Sequence, residues 1–486
     1  MNCSLIFGDN FFGNSARLGI GRSTGAHRAA TLFRKYNFDV EVIDFFSDYT
    51  LDEIKKIINL YQKEHLKFIG FSASLFNYEK KIITEIISFI RKEYPTTKII
   101  AGGTNSFLKG ISKADLYIEG FIEGAIGEIV NWILDKPNSL IIESLNNCSI
   151  VNCTKNYPLY DLKNLETVYH YSDFLDKNET LVLEFARGCI FKCKFCDYPL
   201  IGKNKNDYIR DESEILKEIE SNYKNFGTTR YIIADDTFND NEIKVDILHR
   251  ISKKINFKLE IMGFIRADLL NARPGSLEKL IDSGFKAVHF GIETFNQKSS
   301  VTIGKGFNGK KLKEYLKIIK DKFPNFRIHG SFILGLPYES LEEFEQGIFW
   351  CHESQLVDSW SIYPLTIPVD NNFSFNSYFS KNWMMYGYQK IFILNSSIIA
   401  WKNSHTNYFE ALNKSKIIEK KYTKNKKLNP WAVFSLSPLG FDIEELLSKK
   451  INEINTENII VKTKEFVNNY KSKKYNFILS KKSNNI

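Results

Sequence analysis

The chain has 486 residues, of which 43% are hydrophobic and 25% are charged. Its length exceeds one ordinary domain and its composition excludes a disordered polypeptide, so we expect two to four folded domains. The net charge of +9 arises from Trp401 onward, where 17 lysines outnumber 8 acidic residues. A basic region of this kind can bind nucleic acid, but it holds no arginine, the residue that base readers favour.

The sequence predicts neither a secretion signal nor a membrane span. The first residues lack a basic stretch followed by a long apolar run and are typical of a first strand. The longest later apolar run, residues 391–401, is interrupted by Asn395 and two serines and is too short to cross a bilayer. The seven cysteines are odd in number, which indicates a reducing compartment and predicts a cytoplasmic protein.

Residues 1–140 alternate between strand and helix patterns, as expected for a parallel sheet with helices on both faces. Strands are predicted at 4–7, 40–44, 68–72, 98–102 and 116–119, and helices at 51–61, 78–94 and 124–134. This pattern predicts a Rossmann-like or flavodoxin-like domain, whose ligands bind beyond the carboxyl ends of the strands. Ser72 and Ser74 end the third strand, and Gly102 and Gly103 end the fourth, so these residues are candidate ligand contacts.

Residues 141–180 show weak periodicity, and we predict a linker. Cys148 and Cys153 lie in this segment without a histidine at metal-ligand spacing. We therefore expect both to be free thiols.

A second strand and helix alternation runs from 181 to 370 and predicts a partial (β/α)6 barrel. Strands are expected near 181–186, 231–234, 258–264, 286–291, 326–333 and 357–363. Such barrels carry their working residues at the carboxyl ends of the strands. The candidates at these ends are Asp235, Asp236, Thr237, Arg266, Glu293 and Ser331.

Three of the seven cysteines lie in one loop directly after the first barrel strand. Cys189, Cys193 and Cys196 have the spacing CxxxCxxC, and thiolates suit iron-sulfur clusters and zinc. A structural zinc site requires four closed ligands, and a ferredoxin cluster requires four cysteines. Three thiolates therefore leave one metal position open, although unligated or redox-active thiols are the alternative.

Residues 371–486 contain no motif and are predicted to form a mostly α-helical extension. The segment 371–402 is aromatic and rich in asparagine, and helices are expected near 441–454 and 457–475. No cysteine follows Cys351, so we expect a single cluster in this protein.

The CxxxCxxC motif, with Phe195 directly before its last cysteine, resembles the radical SAM superfamily. The resemblance implies a 4Fe-4S cluster on Cys189, Cys193 and Cys196, with S-adenosylmethionine on the fourth iron. Cleavage of this cosubstrate would yield a 5′-deoxyadenosyl radical that abstracts a substrate hydrogen. An electron donor such as flavodoxin or ferredoxin is the implied partner.

The same resemblance implies roles for the strand-end residues. Asp235, Asp236 and Thr237 stand where the family often has GGE, near the methionine amino group, and Glu293 resembles the glutamate of the family's GIE stretch. Arg266 or Ser331 would bind the carboxylate, and Phe195 would pack beside the adenine. Lys305 matches a lysine common after GIE, without an assigned role.

The domain ahead of the cysteine loop resembles the cobalamin-binding class of this superfamily. In that class a serine-containing turn and a paired glycine border the nucleotide tail of the cofactor, and they match Ser72, Ser74, Gly102 and Gly103. The cobalt-ligating DxHxxG motif is absent, and its nearest approximation surrounds His27.

Three functions follow from these patterns. With cobalamin, the implied reaction is methyl transfer to an unactivated carbon; without it, the enzyme would perform a rearrangement or oxidoreduction, and the first domain would only pack or hold substrate. The third is a nucleic-acid-binding protein with a structural cluster. No motif encodes the substrate, so small molecules and biopolymers are both open.

Overall fold

The structure is a computed structural model that describes residues 2–9, 18–73, 80–103, 113–145, 147–196, 198, 200, 203–305, 307–369, 377–394 and 398–483. The chain divides into two compact units. Unit 1 comprises residues 1–181, 213–228 and 456–486, and unit 2 comprises residues 182–212 and 229–455. The last helix therefore groups with the N-terminal unit, although the sequence suggested a separate C-terminal extension.

Unit 1 is built on a seven-stranded sheet with the order β2-β1-β3-β4-β5-β7-β6. Its strands are β1 (Asn2–Gly8), β2 (Phe38–Ile43), β3 (Leu66–Ser72), β4 (Lys98–Gly102), β5 (Leu116–Glu119), β6 (Glu143–Leu145) and β7 (Cys148–Asn152). All neighbours pair in parallel except β6 with β7. The order 2-1-3-4-5 is that of flavodoxin-like sheets. The last two strands come from the segment predicted as a linker.

The helices of unit 1 are α1 (Thr24–Lys35), α2 (Leu51–Asn59), α3 (Lys80–Glu93), α4 (Ile126–Ile133), α5 (Cys153–Asn156), most of α6 (Glu212–Phe226) and, at the far end of the chain, α17 (Thr456–Ser483). Their apolar faces cover the sheet, because apolar residues recur at helical spacing. In α2, Ile54, Ile57 and Ile58 are buried, and Thr50 with Glu53 forms a capping box at its start.

A network of buried charges lies beside β2 in unit 1. Arg22 binds Glu179 at 2.6 Å and Asp44 at 3.1 Å. His27 lies 2.8 Å from Asp44 through Nε2 and 3.4 Å from Asp173 through Nδ1. These side chains are at most 2% exposed. Buried charges persist only when they are paired, so the network fixes β2, α1 and residues 173–179 together.

The C-terminal helix α17 completes this network from the other end of the sequence. Lys474, which is fully buried, binds Glu41 at 2.8 Å and lies 3.6 Å from Asp173. The Tyr470 hydroxyl accepts a hydrogen bond from the Asp44 amide at 3.1 Å. At least one of the lysines that make the C-terminal region basic therefore forms ion pairs inside unit 1.

Unit 2 contains a six-stranded sheet with the order β13-β12-β11-β10-β9-β8. Its strands are β8 (Thr180–Leu183), β9 (Arg230–Ile233), β10 (Glu260–Ile265), β11 (Phe285–Glu293), β12 (Arg327–Leu334) and β13 (Ser359–Pro364). The pairs from β9 to β13 are parallel, and sequential order with intervening helices is the arrangement of a partial barrel. The predicted succession of two α/β sheets is confirmed.

The helices between these strands are α7 (Glu242–Lys254), α8 (Ala267–Ala272), α9 (Ser276–Asp282), α10 (Gln297–Thr302), α11 (Gly309–Lys322) and α12 (Leu341–Ser354). After β13 the chain forms a small sheet of β14 (Ile367–Pro368), β15 (Gln389–Leu394) and β16 (Ile398–Lys402), with α13 (Tyr378–Asn382) between β14 and β15. The helices α14 (Tyr408–Lys421), α15 (Pro430–Leu436) and α16 (Ile443–Ser448) follow. The predicted helix at 441–454 corresponds to α16 and the one at 457–475 lies within α17, whereas the strands β15 and β16 were not predicted in this mostly helical extension.

No helix in the described ranges combines the length and apolar character needed to cross a bilayer. All seven cysteines fall within the described residues, and none of them forms a disulfide.

We predict that Lys474→Met destabilises unit 1 by about 3–5 kcal/mol, because it leaves the buried Glu41 and Asp173 carboxylates without this ammonium. Chemical denaturation followed by circular dichroism measures the change in midpoint. The control is Lys464→Met, at an exposed position of the same helix, which should stay within about 0.5 kcal/mol of the wild type. Equal stabilities of the two variants would contradict the role of the buried pair.

Candidate functional site

The functional candidates of unit 2 gather at the carboxyl ends of its parallel strands. Strand register places Gly291 of β11 opposite Ser331 of β12, and Ser331 opposite Ser361 of β13. Arg266 directly follows β10, and Asp235 follows β9 by two residues. The predicted set from the barrel is therefore brought to one end of the sheet.

Cys189, Cys193 and Cys196 lie in one loop that follows β8. Cys189 is buried, whereas Cys193 and Cys196 are partly exposed. Burial raises the pKa of the Cys196 thiol to about 12, and the negative charges of Cys193 and Cys189 add to the shift. The three sulfurs therefore lie within each other's electrostatic field, and a bound cation would be needed to hold all three as thiolates.

No group of three His, Cys, Asp or Glu side chains within the described ranges surrounds a single metal ion. A 4Fe-4S cluster does not require this, because each thiolate binds a different iron and the sulfurs stand farther apart than ligands of one ion. The donor set consists of three soft thiolates. It fits an iron-sulfur cluster and lacks the fourth ligand of a structural zinc site.

The start of the cysteine loop is fixed by Asp235. This carboxylate is 1% exposed, and its Oδ1 accepts hydrogen bonds from the amides of Phe185 at 2.8 Å and Ala186 at 3.1 Å. Its Oδ2 binds the buried ammonium of Lys244 at 2.9 Å. Asp235 was expected near a methionine amino group, but both of its oxygens already hold protein groups, which is a structural role.

The same lysine also supports the middle of the loop. Lys244 binds Asp240 at 2.8 Å, and Asp240 accepts a hydrogen bond from the Ile190 amide at 3.1 Å and from the Tyr208 hydroxyl at 3.1 Å. Lys244 and Asp240 are fully buried. Sequence analysis missed both residues, and the only available signal was a lysine in the buried stripe of α7.

Asp236 and Thr237 remain open to a ligand. Asp236 is exposed, but surrounding protein and the charge of Asp235 raise its pKa to about 7. An approaching ammonium group would lower this pKa and favour the carboxylate. Thr237 donates to the Asp236 carbonyl at 2.8 Å. Burial raises the pKa of the Cys189 thiol to about 11, and a hydrogen bond with Thr237 offsets a small part of this rise.

Arg266 connects the third strand end to the cysteines. Its Nη1 lies 3.2 Å from the sulfur of Cys193, and its guanidinium stacks on Phe191 at 4.3 Å. The Asp268 carboxylate accepts hydrogen bonds from Nε and Nη2 of Arg266, at 3.0 and 2.6 Å. Arg266 is 6% exposed, so the Arg266–Asp268 pair is a buried, oriented group rather than a surface pair.

Glu293 and Lys305 form the fourth part of the site. Their ion pair measures 3.2 Å, and Lys305 also donates to the Gly291 carbonyl at 3.0 Å. A side chain at Gly291 would collide with both, since a Cβ there would lie 2.6 Å from Glu293 and 2.9 Å from Lys305. Lys305 lies 5.8 Å from the ring centre of Phe195. These contacts give a position to the lysine whose role the sequence left open.

The loop that carries Lys305 also rests on the cysteine loop. The Lys194 amide donates to the Ile303 carbonyl at 2.9 Å, and the thiol of Cys193 lies 3.9 Å from the Gly304 carbonyl. Gly304 has a φ of +84°, a conformation that favours glycine. The glycine thus permits a close approach of the two loops.

Two histidines that no motif identified lie next to Ser331 inside the barrel. His289 and His329 stand opposite each other in the strand register, with ring centres 4.5 Å apart. His329 is clamped by the hydroxyls of Ser359 at 2.8 Å and Ser361 at 3.1 Å. Burial lowers the pKa of His289 to about 4, with a smaller effect from the charge of Lys305, so its ring is neutral at physiological pH.

Unit 1 carries the second group of candidates. Ser72 accepts a hydrogen bond from Ser23 at 3.1 Å at the end of β3. Gly102 ends β4, and Gly103 follows with a φ of +110°. Among the described residues, a Cβ at Gly102 would meet only the Ile118 carbonyl, at 3.9 Å, so no described residue fills the space beside this strand end. Ser74 lies outside the described residues.

His27 does not belong to this open region. Burial lowers the pKa of His27, but the charges of Asp44 and Asp173 outweigh burial and raise it to about 9. Both ring nitrogens face carboxylates, so the ring is not free to bind a metal.

Comparison with known proteins finds similarity to one superfamily within unit 2. Residues 183–351 match the model of the radical SAM superfamily. The ribosomal protein uS12 methylthiotransferase RimO of Thermotoga petrophila is 26% identical over 191 residues, which are 37% of this chain and 44% of that protein. A tRNA-2-methylthio-N(6)-dimethylallyladenosine synthase of Buchnera aphidicola is 24% identical over 47% of this chain and 53% of its own length. The chain thus spans about half the length of these relatives.

Solved structures resemble a larger part of the chain. The radical S-adenosylmethionine methyltransferase TsrM from Kitasatospora setae, with cobalamin and a 4Fe-4S cluster bound, has a TM-score of 0.66. Its identity is 12%, and the match covers 96% of this chain and 99% of TsrM. The cobalamin-dependent S-adenosylmethionine radical enzyme OxsB, with aqua-cobalamin bound, has a TM-score of 0.52 at 16% identity, covering 87% of this chain and 57% of OxsB. These likenesses establish the fold.

We predict that Lys244→Met destabilises unit 2 by about 3–5 kcal/mol, because the buried Asp235 and Asp240 would lose their common cation. The iron retained after anaerobic reconstitution should fall as well, since both carboxylates hold amides of the cysteine loop. Lys254→Met is the control, because this lysine of the same helix is 54% exposed in its pair with Glu212 and should cost less than about 1 kcal/mol. Normal iron content in Lys244→Met would contradict the bracing role.

Proposed function

We propose that the protein is an enzyme that cleaves S-adenosylmethionine reductively at a single 4Fe-4S cluster. The match of residues 183–351 to the radical SAM superfamily supports this proposal. Cys189, Cys193 and Cys196 would hold three irons. Bound there, a 4Fe-4S cluster would supply the single electron that breaks a C–S bond of the sulfonium, giving methionine and a 5′-deoxyadenosyl radical. The observation that carries this proposal is the approach of Arg266 to within 3.2 Å of the Cys193 sulfur, which joins a strand-end ligand group to the cysteine loop.

The residues around the cysteines provide the groups that S-adenosylmethionine needs. Asp236 and Thr237 would accept hydrogen bonds from the ammonium group. Arg266 or Ser331 would bind the carboxylate, since Nη1 of Arg266 already lies beside the Cys193 sulfur. Glu293 would accept from the ribose hydroxyls, with Lys305 fixing its carboxylate at 3.2 Å. Phe195 offers a partly exposed ring for the adenine.

The same groups would protect the radical. Substrate and cosubstrate must meet without water, because the protein's contribution to cofactor chemistry is orientation and exclusion of side reactions. His289 lies two residues before Gly291 on β11 and therefore on the same face of the strand. Its neutral ring would offer the substrate one hydrogen-bond donor and one acceptor. The seven cysteines without a disulfide favour a reducing compartment for this chemistry.

We propose further that unit 1 binds cobalamin and that the reaction is methyl transfer. Support comes from the 2-1-3-4-5 strand order, from the open space at Gly102 and from the cobalamin bound in TsrM and OxsB. Ser72, Gly102 and Gly103 would border the nucleotide tail, as would Ser74. His27 would not ligate cobalt, because carboxylates hold both of its nitrogens.

Methylthio transfer, the activity named for the curated relatives, is less well supported. The candidate ligands for a second cluster would be Cys3, Cys148 and Cys153, but β1 and β7 are separated by three strands in the sheet. Neighbouring strands lie about 4.8 Å apart, so Cys3 is too far from the other two cysteines to share a cluster. Nucleic-acid binding is also disfavoured, because Lys471, Lys474 and Lys481 pair with acids of unit 1.

Cys193→Ala should abolish the brown colour of the iron-sulfur cluster. It should also lower 5′-deoxyadenosine formation with dithionite by more than about a hundredfold, because loss of a ligand costs more than the roughly 10–100-fold lost when a residue that hydrogen-bonds to a ligand is changed. The matched control is Cys148→Ala, which removes a thiol outside the loop and should keep iron content and rate. Iron and sulfide analysis with product chromatography provides the readout. Full activity of Cys193→Ala, or loss of iron in Cys148→Ala, would contradict the single-cluster assignment.

A graded pair of variants tests the cobalamin site. Gly102→Ala should bind hydroxocobalamin almost normally, because the nearest atom to the new Cβ is 3.9 Å away. Gly102→Leu should fill the open space and weaken binding at least about tenfold, or about 1.4 kcal/mol. The visible absorbance that remains with the protein after gel filtration measures binding. Equal retention by both variants would remove Gly102 from the proposed site.

A further inference from the structure

An exposed apolar surface lies beside the cysteine loop in unit 2. It consists of residues 377–394, which form α13, a 3-10 turn and β15, and we call it the 377–394 surface. Tyr378, Met384 and Met385 are 51%, 68% and 73% exposed, and Ile391 and Phe392 are 43% and 46% exposed. Clusters of exposed apolar side chains mark binding surfaces in soluble proteins.

This surface starts directly on the loop that carries the thiols. The Phe379 amide donates to the carbonyl of Lys194 at 2.7 Å, and Lys194 is the residue after Cys193. The Lys194 ammonium lies 6.0 Å from the ring centre of Tyr378 and 5.6 Å from that of Tyr386. A protein seated on the 377–394 surface would therefore be close to the proposed cluster.

The charged side chains of the 377–394 surface itself are positive. Residues 377–394 contain Lys381 and Lys390 and no acidic residue, and the cysteine loop adds the exposed Lys192. Over the residues described, Lys192, Lys194 and Lys381 have no carboxylate partner. Many other lysines of unit 2 do, including Lys253 with Asp282 and Lys414 with Glu345.

We propose that the 377–394 surface, together with Lys192 and Lys194, docks an acidic one-electron carrier protein of the flavodoxin or ferredoxin type. The inference rests on the proposed function, because a cluster that reduces a sulfonium must itself be reduced. One electron leaves the carrier, converting a flavin hydroquinone to the semiquinone, and lowers the cluster charge by one. No atom is transferred between the two proteins.

Charge and position favour this occupant. An apolar centre with methionine and aromatic side chains is common at interfaces, and an unpaired basic rim attracts an acidic partner and speeds its association. Redox partners form small, transient interfaces, so a short segment such as residues 377–394 is long enough to contribute to one. A second copy of this chain would bring the same lysines against one another, and opposed like charges cost several kcal/mol.

The test compares two reductants on the reconstituted enzyme. Dithionite is small and needs no docking site, whereas flavodoxin, reduced by its NADPH-dependent reductase, does. The test variants are Lys381→Glu, Met385→Glu and the double variant, at exposed positions outside the cysteine loop. The control is Lys258→Glu, which reverses an exposed charge just before β10, at the amino end of the strands.

We expect all variants to form 5′-deoxyadenosine with dithionite within about twofold of the wild type. With flavodoxin, the double variant should need at least about ten times more carrier for half-maximal rate, a change of about 1.4 kcal/mol. The Lys258→Glu control should behave as the wild type does.

Binding of oxidised flavodoxin to the reconstituted protein, measured by biolayer interferometry, provides a readout independent of turnover. The Kd should rise at least about tenfold in the double variant, and wild-type binding should weaken as salt shortens the range of the attraction. Unchanged binding and unchanged flavodoxin-supported rates would overturn the docking surface, and so would equal losses with both reductants.

The outcome also separates the two proposals. If the wild type forms no 5′-deoxyadenosine with dithionite, the proposed function fails. If dithionite supports cleavage but neither flavodoxin nor ferredoxin binds or reduces the protein, only the docking surface fails.

Discussion

Three thiols can serve one cluster only if the loop that carries them is held in place, and the buried ammonium of Lys244 provides that constraint. It lies between Asp235 and Asp240 at 2.9 and 2.8 Å. These carboxylates in turn bind amides at Phe185, Ala186 and Ile190. A buried ion pair is an uncertain source of stability, but removal of one partner is strongly unfavourable. The arrangement therefore fixes the geometry of the loop more than it stabilises the fold.

Unit 1 uses the same device on a larger scale. Arg22, His27 and Lys474 lie among four buried carboxylates, and one of these cations comes from the last helix of the chain. The closure of this network by α17 explains why a helix 400 residues away in sequence belongs to the first unit. It also accounts for part of the basic C-terminal composition without any external anionic partner.

Sequence reasoning reached the two α/β sheets, the cysteine loop and the strand-end residues, because these depend on local periodicity and on motif order. It missed β6 and β7, since short strands in a weakly periodic segment resemble a linker. It also could not assign Lys244, Asp240 or Lys305, because their importance comes from partners distant in sequence. Asp235 is the clearest case that sequence could not decide. Its place at the end of the strand was predicted, but burial and two amide donors give its carboxylate a structural role. The neighbouring Asp236 is the exposed carboxylate.

The account depends on one iron without a protein ligand, and Mössbauer spectroscopy of protein reconstituted with ⁵⁷Fe tests this most directly. Spectra would be recorded before and after addition of S-adenosylmethionine. The account predicts that one quarter of the cluster iron changes its isomer shift and quadrupole splitting when the cosubstrate binds, while the three thiolate-bound irons do not. Four irons that are unaffected by saturating S-adenosylmethionine would contradict it.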